Sequence, residues 1–360
     1  MRPDSLATFY RGKTVLVTGH TGFKGGWLSE WLKILGARVI GLALPPETQP
    51  NLFEAARIGE GMSTVLGDIR DVKTVRALFD EHAPEIVFHN AAQALVRRAY
   101  RDPPATYATN VMGTVHVLEA VRRARSVRVV VVISSDKCYE NREWVWGYRE
   151  TDPIGGRDPY SSSKACVELV TAAYRRSFFA QADASATIAS ARAGNVIGGG
   201  DWADDRLVPD IVRGIATGQA IALRNPGALR PWQHVLEPVR GYLTLAQRLW
   251  ASDSAYAEPW NFGPAGDGAM SVSELARRVI ATWGKGELVV KNDGEQPPES
   301  QDLRLDSSKA RLRLGWQTIL SADESVQLTV DWYRSYLDNP ECAPQVTARQ
   351  LRDYMRKADP

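Results

Sequence analysis

Short apolar runs rich in Val, Ile and Thr alternate through the first half of the chain with longer stretches of helical periodicity, and this alternation limits the fold more than any other feature. Thr14 to Thr18, Arg38 to Ala43, Thr64 to Leu66, Ile86 to His89, Val127 to Ser134 and Ala186 to Arg192 read as strands. Trp27 to Leu35, Val72 to Glu81, Pro104 to Arg125 and Tyr160 to about Phe178 read as helices between them. Strands apolar on both faces and joined through helices need helices above and below them. The pattern therefore predicts an α/β protein on a doubly wound parallel sheet. After Gly194 the texture changes to loops rich in Gly, Asp and Trp. Shorter elements follow: helices at Leu207 to Thr217, Leu236 to Trp250, Val272 to Trp283 and Ala322 to Leu337, and short strands at Ile221 to Leu223 and Trp260 to Phe262.

The composition narrows the partners. Lys plus Arg is 44 against 42 Asp plus Glu, a formal charge of +2, and no basic run stands out. A nucleic-acid partner is not expected. Val127 to Ile133 is the most apolar segment, but Arg128 interrupts it and it is far too short to span a bilayer, so no membrane partner is expected either. Met1 to Lys13 holds no apolar core of a secretory signal, and Cys138, Cys166 and Cys342 lack metal-ligand spacing. The expectation is a cytoplasmic protein with no metal and no structural disulfide.

Behind the first strand runs Thr18-Gly19-His20-Thr21-Gly22-Phe23-Lys24-Gly25, a G-x-x-G-x-x-G loop that opens a helix. Glycines at these points allow a tight turn and bring backbone amides close to a pyrophosphate at the positive end of the helix dipole. Gly19, Thr21, Gly22, Phe23 and Lys24 are thus candidate cofactor contacts on a Rossmann-like sheet. The second strand ends Leu44-Pro45-Pro46, with no acidic residue at its tip for an adenosine ribose, so NAD and NADP are not distinguished there. Farther on, Asp68 can accept from an adenine amino group while Ile69 covers the ring, and Asp71 is the better N-cap for the helix from Val72.

Tyr160 and Lys164 lie four residues apart, on one face of a helix. An ammonium and a nicotinamide ring beside the phenol both favour its ionised form, so the pair predicts a base for an alcohol proton with the Tyr pKa lowered. Ser135-Asp136-Lys137 sits at the carboxyl end of a buried strand, where such sheets bind ligands. Ser135 can hold the reacting hydroxyl. Asp136 and Lys137 are an extra acid-base pair that a plain alcohol dehydrogenase would not need.

The glycine loop, His89-Asn90-Ala91-Ala92, Asn110, Ser135 and the Tyr160/Lys164 pair together resemble the extended short-chain dehydrogenase/reductase family, in its nucleotide-sugar branch. Longer runs at Asn141 to Glu150, Arg192 to Trp202 and Arg230 to Val235 narrow the resemblance to the sugar-nucleotide 4,6-dehydratases, with CDP-glucose as the implied substrate. The similarity runs from about residue 9 to about residue 335. It implies NAD, regenerated at each turnover, with Ala91, Ala92, Gln93 and Asn110 among its contacts. It further implies conversion of CDP-glucose to CDP-4-keto-6-deoxyglucose by C4 oxidation, loss of water across C5 and C6, and hydride return to C6, in bacterial dideoxysugar and cell-surface polysaccharide synthesis. Asp136 is then the acid for the C6 hydroxyl, and Lys137 either the C5 base or a charge that stabilises the C5 enolate.

On the substrate side, Asn195, Leu207 and Val208 match the family's contacts. Arg224 and Arg230 have the guanidinium fork suited to a diphosphate, and Asn261 and Arg304 are further candidates. The chain divides on this reading into an NAD-binding domain over 1–190, a smaller C-terminal substrate-binding domain over 191–340 and a tail over 341–360 read as a solvated basic helix. Segments near 236–264 are placed to return to the first domain. The resemblance also implies a homodimer or homotetramer through the helices Pro104 to Arg125 and Tyr160 to Phe178, with Val111, Val115, Leu118, Leu169, Val170 and Ala173 as the apolar set. A 4-epimerase or 4-ketoreductase of the same branch, and a catalytically silent binding subunit, are the competing readings. Finally, 11 Trp against 8 Phe is unusual. Trp144, Trp146, Trp202 and Trp232 fall in loops expected to border the sugar nucleotide, whereas Trp283, Trp316 and Trp332 read as core.

Overall fold

The β-branched runs pair as seven parallel strands. They are β1 (Thr14–Thr18), β2 (Arg38–Ala43), β3 (Ser63–Leu66), β4 (Ile86–His89), β5 (Val129–Ile133), β6 (Thr187–Ala193) and β7 (Pro259–Phe262), in the order β7-β6-β5-β4-β1-β2-β3. The computed structural model describes residues 5–181, 185–251, 254–264, 269–290 and 300–358. Strand order reverses between β1 and β4, which opens a crevice at their carboxyl ends. Val15 and Val17 of β1 pack into one core and Leu16 into the other, and β5 divides in the same way, Val129 and Val131 against Val130 and Val132. Each of these side chains is fully buried, a contribution of about 1.5–3 kcal/mol apiece. Two apolar cores separated by one sheet explain why β1 and β5 are apolar on both faces.

Helix α1 (Phe23–Ile34) starts inside the glycine loop, four residues before the hydrophobic periodicity suggests, because Gly22 is its N-cap. It buries Trp27, Leu28, Trp31 and Leu32, and the Trp27 indole donates to the Gly199 carbonyl at 3.0 Å. Helix α2 (Val72–His82) is capped by Asp71, which accepts from the Lys73 amide. The stretch read as one helix from Pro104 to Arg125 begins at Pro103. It passes through a π-helical turn over Ala108–Met112 before α3 (Gly113–Arg123). Wide turns of this kind have no periodicity signature and recur at functional sites; this one carries Asn110. Helix α4 (Pro159–Phe178) follows an Asp158 cap with Pro159 at its first position, where a missing N–H costs nothing.

Beyond β6 the chain forms α5 (Leu207–Thr217) and several two-stranded ribbons, then returns through α6 (Leu236–Trp250) to place β7 beside β6. Helices α7 (Val272–Trp283) and α8 (Ala322–Asp338) complete the second lobe. The glycine at 199 lets the substrate-side loop lie on α8, since a Cβ there would fall 1.9 Å from the Trp332 ring.

The tail corrects the reading of a solvated helix. Helix α9 (Ala343–Ala358) buries Val346, Leu351 and Tyr354; residues 359–360 lie outside the described chain. The Tyr354 hydroxyl donates to Glu237 of α6 at 2.6 Å, and its ring meets Trp31 of α1 edge-on at 5.5 Å. The basic residues lie on the outer face of an amphipathic helix whose inner face is core.

Candidate active site

A cleft of about 580 Å³ lies over the carboxyl ends of the central strands. Its cofactor side is the glycine loop. Gly19 has φ +78, and a Cβ on it would come within 2.8 Å of the Ala91 backbone. A Cβ on Gly25 would lie 2.0 Å from the Gly19 carbonyl oxygen. The loop therefore folds tightly enough to aim the first amides of α1 at the cleft, which fits the pyrophosphate of a dinucleotide. Thr18 joins the two strand ends: its Oγ1 accepts from the amides of Asn90 and Ala91, both at 3.1 Å.

Thr21, Gly22, Phe23 and Lys24 line the cleft, as do Ala91, Ala92 and Gln93. Asp68 and Ile69 border it too, at the end of β3. Arg70 holds the Asp68 carboxylate through contacts of 2.8 and 2.5 Å, keeping it below the ordinary carboxylate range. Asn110 stands behind the lining. It accepts from the Gln93 amide at 2.8 Å and donates to Ser163 at 2.8 Å, so it ties the cofactor loop to α4.

The candidate reaction-centre residues gather on a turn after β5 and on the first turns of α4. Ser135 donates to Asp136 Oδ1 at 3.0 Å and accepts from the Lys137 amide at 3.3 Å. Asp136 is buried, and its Oδ2 has no hydrogen-bond partner among the described residues. Burial pushes its carboxyl above the usual range, against the pull of Lys137, Ser135 and Arg230, and so favours the protonated acid. Tyr160 and Lys164 face the same cleft. Burial pushes the Tyr160 phenol up to about 12, with the Ser135 hydroxyl opposing it. That reverses the lowering suggested by the Tyr/Lys spacing: the sequence shows the helpful cation but not the dry wall around the phenol. Burial likewise brings Lys164 down to about 8, with Glu168 opposing.

Lys24 departs from a simple phosphate contact. Its ammonium reaches Tyr242 of α6 at 3.4 Å, and burial, with Lys164 and Arg206 nearby, lowers it to about 8. Arg206 was not legible as a site residue. It lines the cleft from the position before α5, paired with Asp201 at 2.7 Å, and its only signal is adjacency to a helix start.

Asn195, Leu207, Val208, Arg224 and Arg230 all line the opposite wall. Arg224 is held by Asp205 at 2.6 Å and Asp210 at 3.4 Å, and Arg230 by the carbonyls of Leu229 at 2.8 Å and Ser300 at 2.6 Å. Two candidates are corrected. Asn261 is fully buried on β7, where it accepts from Tyr139 at 2.7 Å and donates to the Tyr148 carbonyl at 2.8 Å. Arg304 pairs with Asp302 at 3.1 Å and, like Asn261, is absent from the cleft wall. Of the four tryptophans read as walls, Trp202 and Trp232 line the cleft. Trp144 instead stacks on Tyr148 at 5.1 Å, and Trp146 is 68% exposed beside it.

The carboxyl end of such a sheet, with a pyrophosphate cradle on one wall and a Tyr/Lys pair on the other, suits a protein that holds a nicotinamide dinucleotide against a sugar hydroxyl. The chain belongs to the family described as GDP-mannose 4,6 dehydratase, whose model matches residues 16–329. It is 49% identical over 350 residues to a CDP-glucose 4,6-dehydratase of Salmonella typhimurium, covering 96% of this chain and 97% of that one. A UDP-glucose 4-epimerase of Stenotrophomonas maltophila, solved with bound NAD, superposes with a TM-score of 0.78 at 25% identity, covering 91% of this chain and 99% of its own. A dTDP-glucose 4,6-dehydratase of Bacillus anthracis, solved with NAD, shares the fold, with a TM-score of 0.76 at 21% identity over 93% of this chain and all of its own.

Proposed function

We propose that the chain is an NAD-dependent hydro-lyase that converts CDP-glucose to CDP-4-keto-6-deoxyglucose and water. The observation that carries this reading is the 49% identity to a CDP-glucose 4,6-dehydratase across nearly the whole of both chains. The chemistry of the cleft agrees. The C5 hydrogen of glucose is not acidic until C4 is a ketone, so oxidation must precede elimination. The glycine loop with Ala91, Ala92 and Gln93 would hold NAD, which would supply a hydride acceptor for C4 and a donor for C6, so that the sugar would lose water without net oxidation.

Tyr160 takes the proton from the C4 hydroxyl, with Ser135 holding that oxygen and Lys164 stabilising the phenolate. Lys137 faces C5, either accepting its proton or stabilising the enolate that forms. Asp136, whose protonated form burial favours, delivers a proton to the C6 oxygen as it leaves. Arg224 and Arg230 suit the diphosphate, and Leu207 and Val208 the base. A 4-epimerase needs Tyr160 and Lys164 but has no use for a buried acid beside them.

The same reading includes a cytoplasmic enzyme in cell-surface polysaccharide synthesis that works as a homodimer. Support for the last is local. Leu169 is 60% exposed and Phe178 44% on α4, and Met112 is 47% exposed on the neighbouring π turn, whereas Leu118 faces its own core. Light scattering that finds a monomer at micromolar concentration rejects the dimer. No helix among the described residues is long and apolar enough to cross a membrane, and the three cysteines are free.

The test is incubation with CDP-glucose and catalytic NAD, with UDP-glucose and dTDP-glucose as competitors. A keto-sugar absorbance in alkali with no net NADH is expected. Recovery of only CDP-glucose and CDP-galactose refutes the dehydratase and leaves an epimerase.

A further inference from the structure

Directly beneath the Tyr160/Lys164 face, α4 carries a second ionic group that the mechanism does not use. Glu168 lies one helical turn after Lys164 and is 4% exposed. Its Oε2 accepts from Arg192 Nη2 at 2.9 Å and from the Ser190 hydroxyl at 2.7 Å, both on β6. Arg192 is 3% exposed; its Nη1 donates to Tyr139 at 2.8 Å, and the Tyr139 hydroxyl donates onward to Asn261 at 2.7 Å. Arg192 Nε has no hydrogen-bond partner among the described residues. A buried ion pair with an unsatisfied donor is poor value as a stabiliser, since an apolar pair of similar volume would serve the fold as well or better.

Its position gives it a use. Arg192 stands two residues before Gly194 and three before Asn195, both on the substrate wall, while Glu168 shares a helix face with Lys164. We infer that Glu168 and Arg192 are positioning residues for the reaction: Glu168 supplies the counter-charge that keeps the Lys164 ammonium in place beneath Tyr160, and Arg192 fixes that helix face against the strand end that presents Asn195. The inference rests on the acid-base role proposed for Tyr160 and Lys164.

The Lys164 ammonium also donates to the Ile133 carbonyl at 3.4 Å, but of the titratable groups around it among the described residues Glu168 is the one that supplies a counter-charge. Tyr160 is on the same helix, Cys138 on the turn after β5, His89 at the end of β4 and Lys24 at the start of α1. Burial holds His89 down near 3 and pushes the Cys138 thiol up, so both are uncharged near neutral pH, and Lys24 is itself a base. Asp136 is displaced toward its protonated form. Glu168 is faced by Arg192 from β6 and Arg175 from farther along α4, with Cys138 nearby, and stays ionised below the usual range.

The sign follows. Glu168→Gln removes the anion and leaves the Arg192 cation, so Lys164 loses its proton at lower pH and the phenolate loses its counter-charge above that pH. The basic limb of the kcat profile, where activity needs the Lys164 ammonium, moves to lower pH. A displacement of about one unit lowers kcat about tenfold on that limb, while the profiles converge at low pH, where the ammonium stands in both proteins. The double variant Glu168→Gln/Arg192→Gln removes the repelling cation too, so its limb lies between those of the single variant and the parent.

The experiment measures keto-sugar formation from CDP-glucose against pH for the parent, Glu168→Gln, Glu168→Asp and the double variant, with bound NAD and the melting temperature as checks on folding. Displaced limbs in the stated order support the inference. A folded Glu168→Gln whose basic limb coincides with the parent overturns it, even if its melting temperature falls. Should that variant not fold, Glu168→Asp carries the test: it keeps the charge one methylene farther back, so its limb moves the same way by less, and a coincident limb overturns the inference. Tyr160→Phe separates the two readings. If it retains activity, the proposed chemistry fails; if it is inactive and the Glu168 limbs coincide, the failure belongs to the positioning role alone.

Discussion

Asp136→Asn is the sharpest single perturbation of the proposed chemistry, because it changes one atom and one proton in a fixed site. The carboxyl is buried, one oxygen accepts from Ser135 at 3.0 Å and the other has no partner in the described chain. Asn keeps the shape and the Ser135 hydrogen bond but cannot protonate the C6 oxygen. A positioned general acid is worth about 10²–10⁴ in rate, so keto-sugar formation should fall by that factor, while exchange of the C5 hydrogen with solvent deuterium continues.

The same side chain makes a stability prediction. Its folded pKa is raised, so its contribution to stability is fully present below the unfolded value and is lost as pH rises through the folded one. Each unit of that displacement is worth about 1.4 kcal/mol. Parent and variant should therefore behave alike in acid, and the melting-temperature difference should move in the variant's favour as pH rises. A kcat within about threefold of the parent refutes the acid role. A melting-temperature difference that is the same at every pH refutes the claim that burial raises the Asp136 carboxyl above its ordinary range.

Three further outcomes are expected. Gly25→Ala places a methyl 2.0 Å from the Gly19 carbonyl, so NAD affinity measured by calorimetry should fall at least about tenfold in a folded protein. Arg224→Ala should raise the KM for CDP-glucose about tenfold with a smaller change in kcat, as expected for a contact made equally in ground and transition states. Tyr354→Phe removes the donor to buried Glu237, so urea denaturation should show a loss of about 1–3 kcal/mol while kcat is unchanged.

The parallel sheet and the gathering of the candidate catalytic residues at one cleft were legible because both are written locally. A strand buried on both faces shows it in its own residues, and Tyr160 with Lys164, or Ser135 with Asp136, are neighbours whatever the rest of the chain does. Asn261 was misread because its role is set by pairing. In register it lies beside Arg192, so it shares that residue's side of the sheet and joins its hydrogen-bond network. Nothing near position 261 shows which side that is. The tail was misread for a related reason. Its composition is basic, and the partners Trp31 and Glu237, both more than a hundred residues away, turn Tyr354 inward. Trp144 and Trp146 carry the same composition signal as Trp202 and Trp232, but the loop folds back on Tyr148 rather than over the cleft.

The return of the chain to lay β7 beside β6 bears on how such enzymes can be recombined. The second lobe is not an appendage joined through one linker but is threaded through the edge of the sheet, since β7 and α6 both lie against β6 after the first substrate-side segments. A chimera made by joining residues 1–190 to a relative's later half would part Arg192 from Glu168 and replace both α6 and the edge strand in one stroke. Exchange of nucleotide specificity is therefore better sought through two grafts, one between β6 and α6 and one after β7, with residues 236–262 kept in their native company.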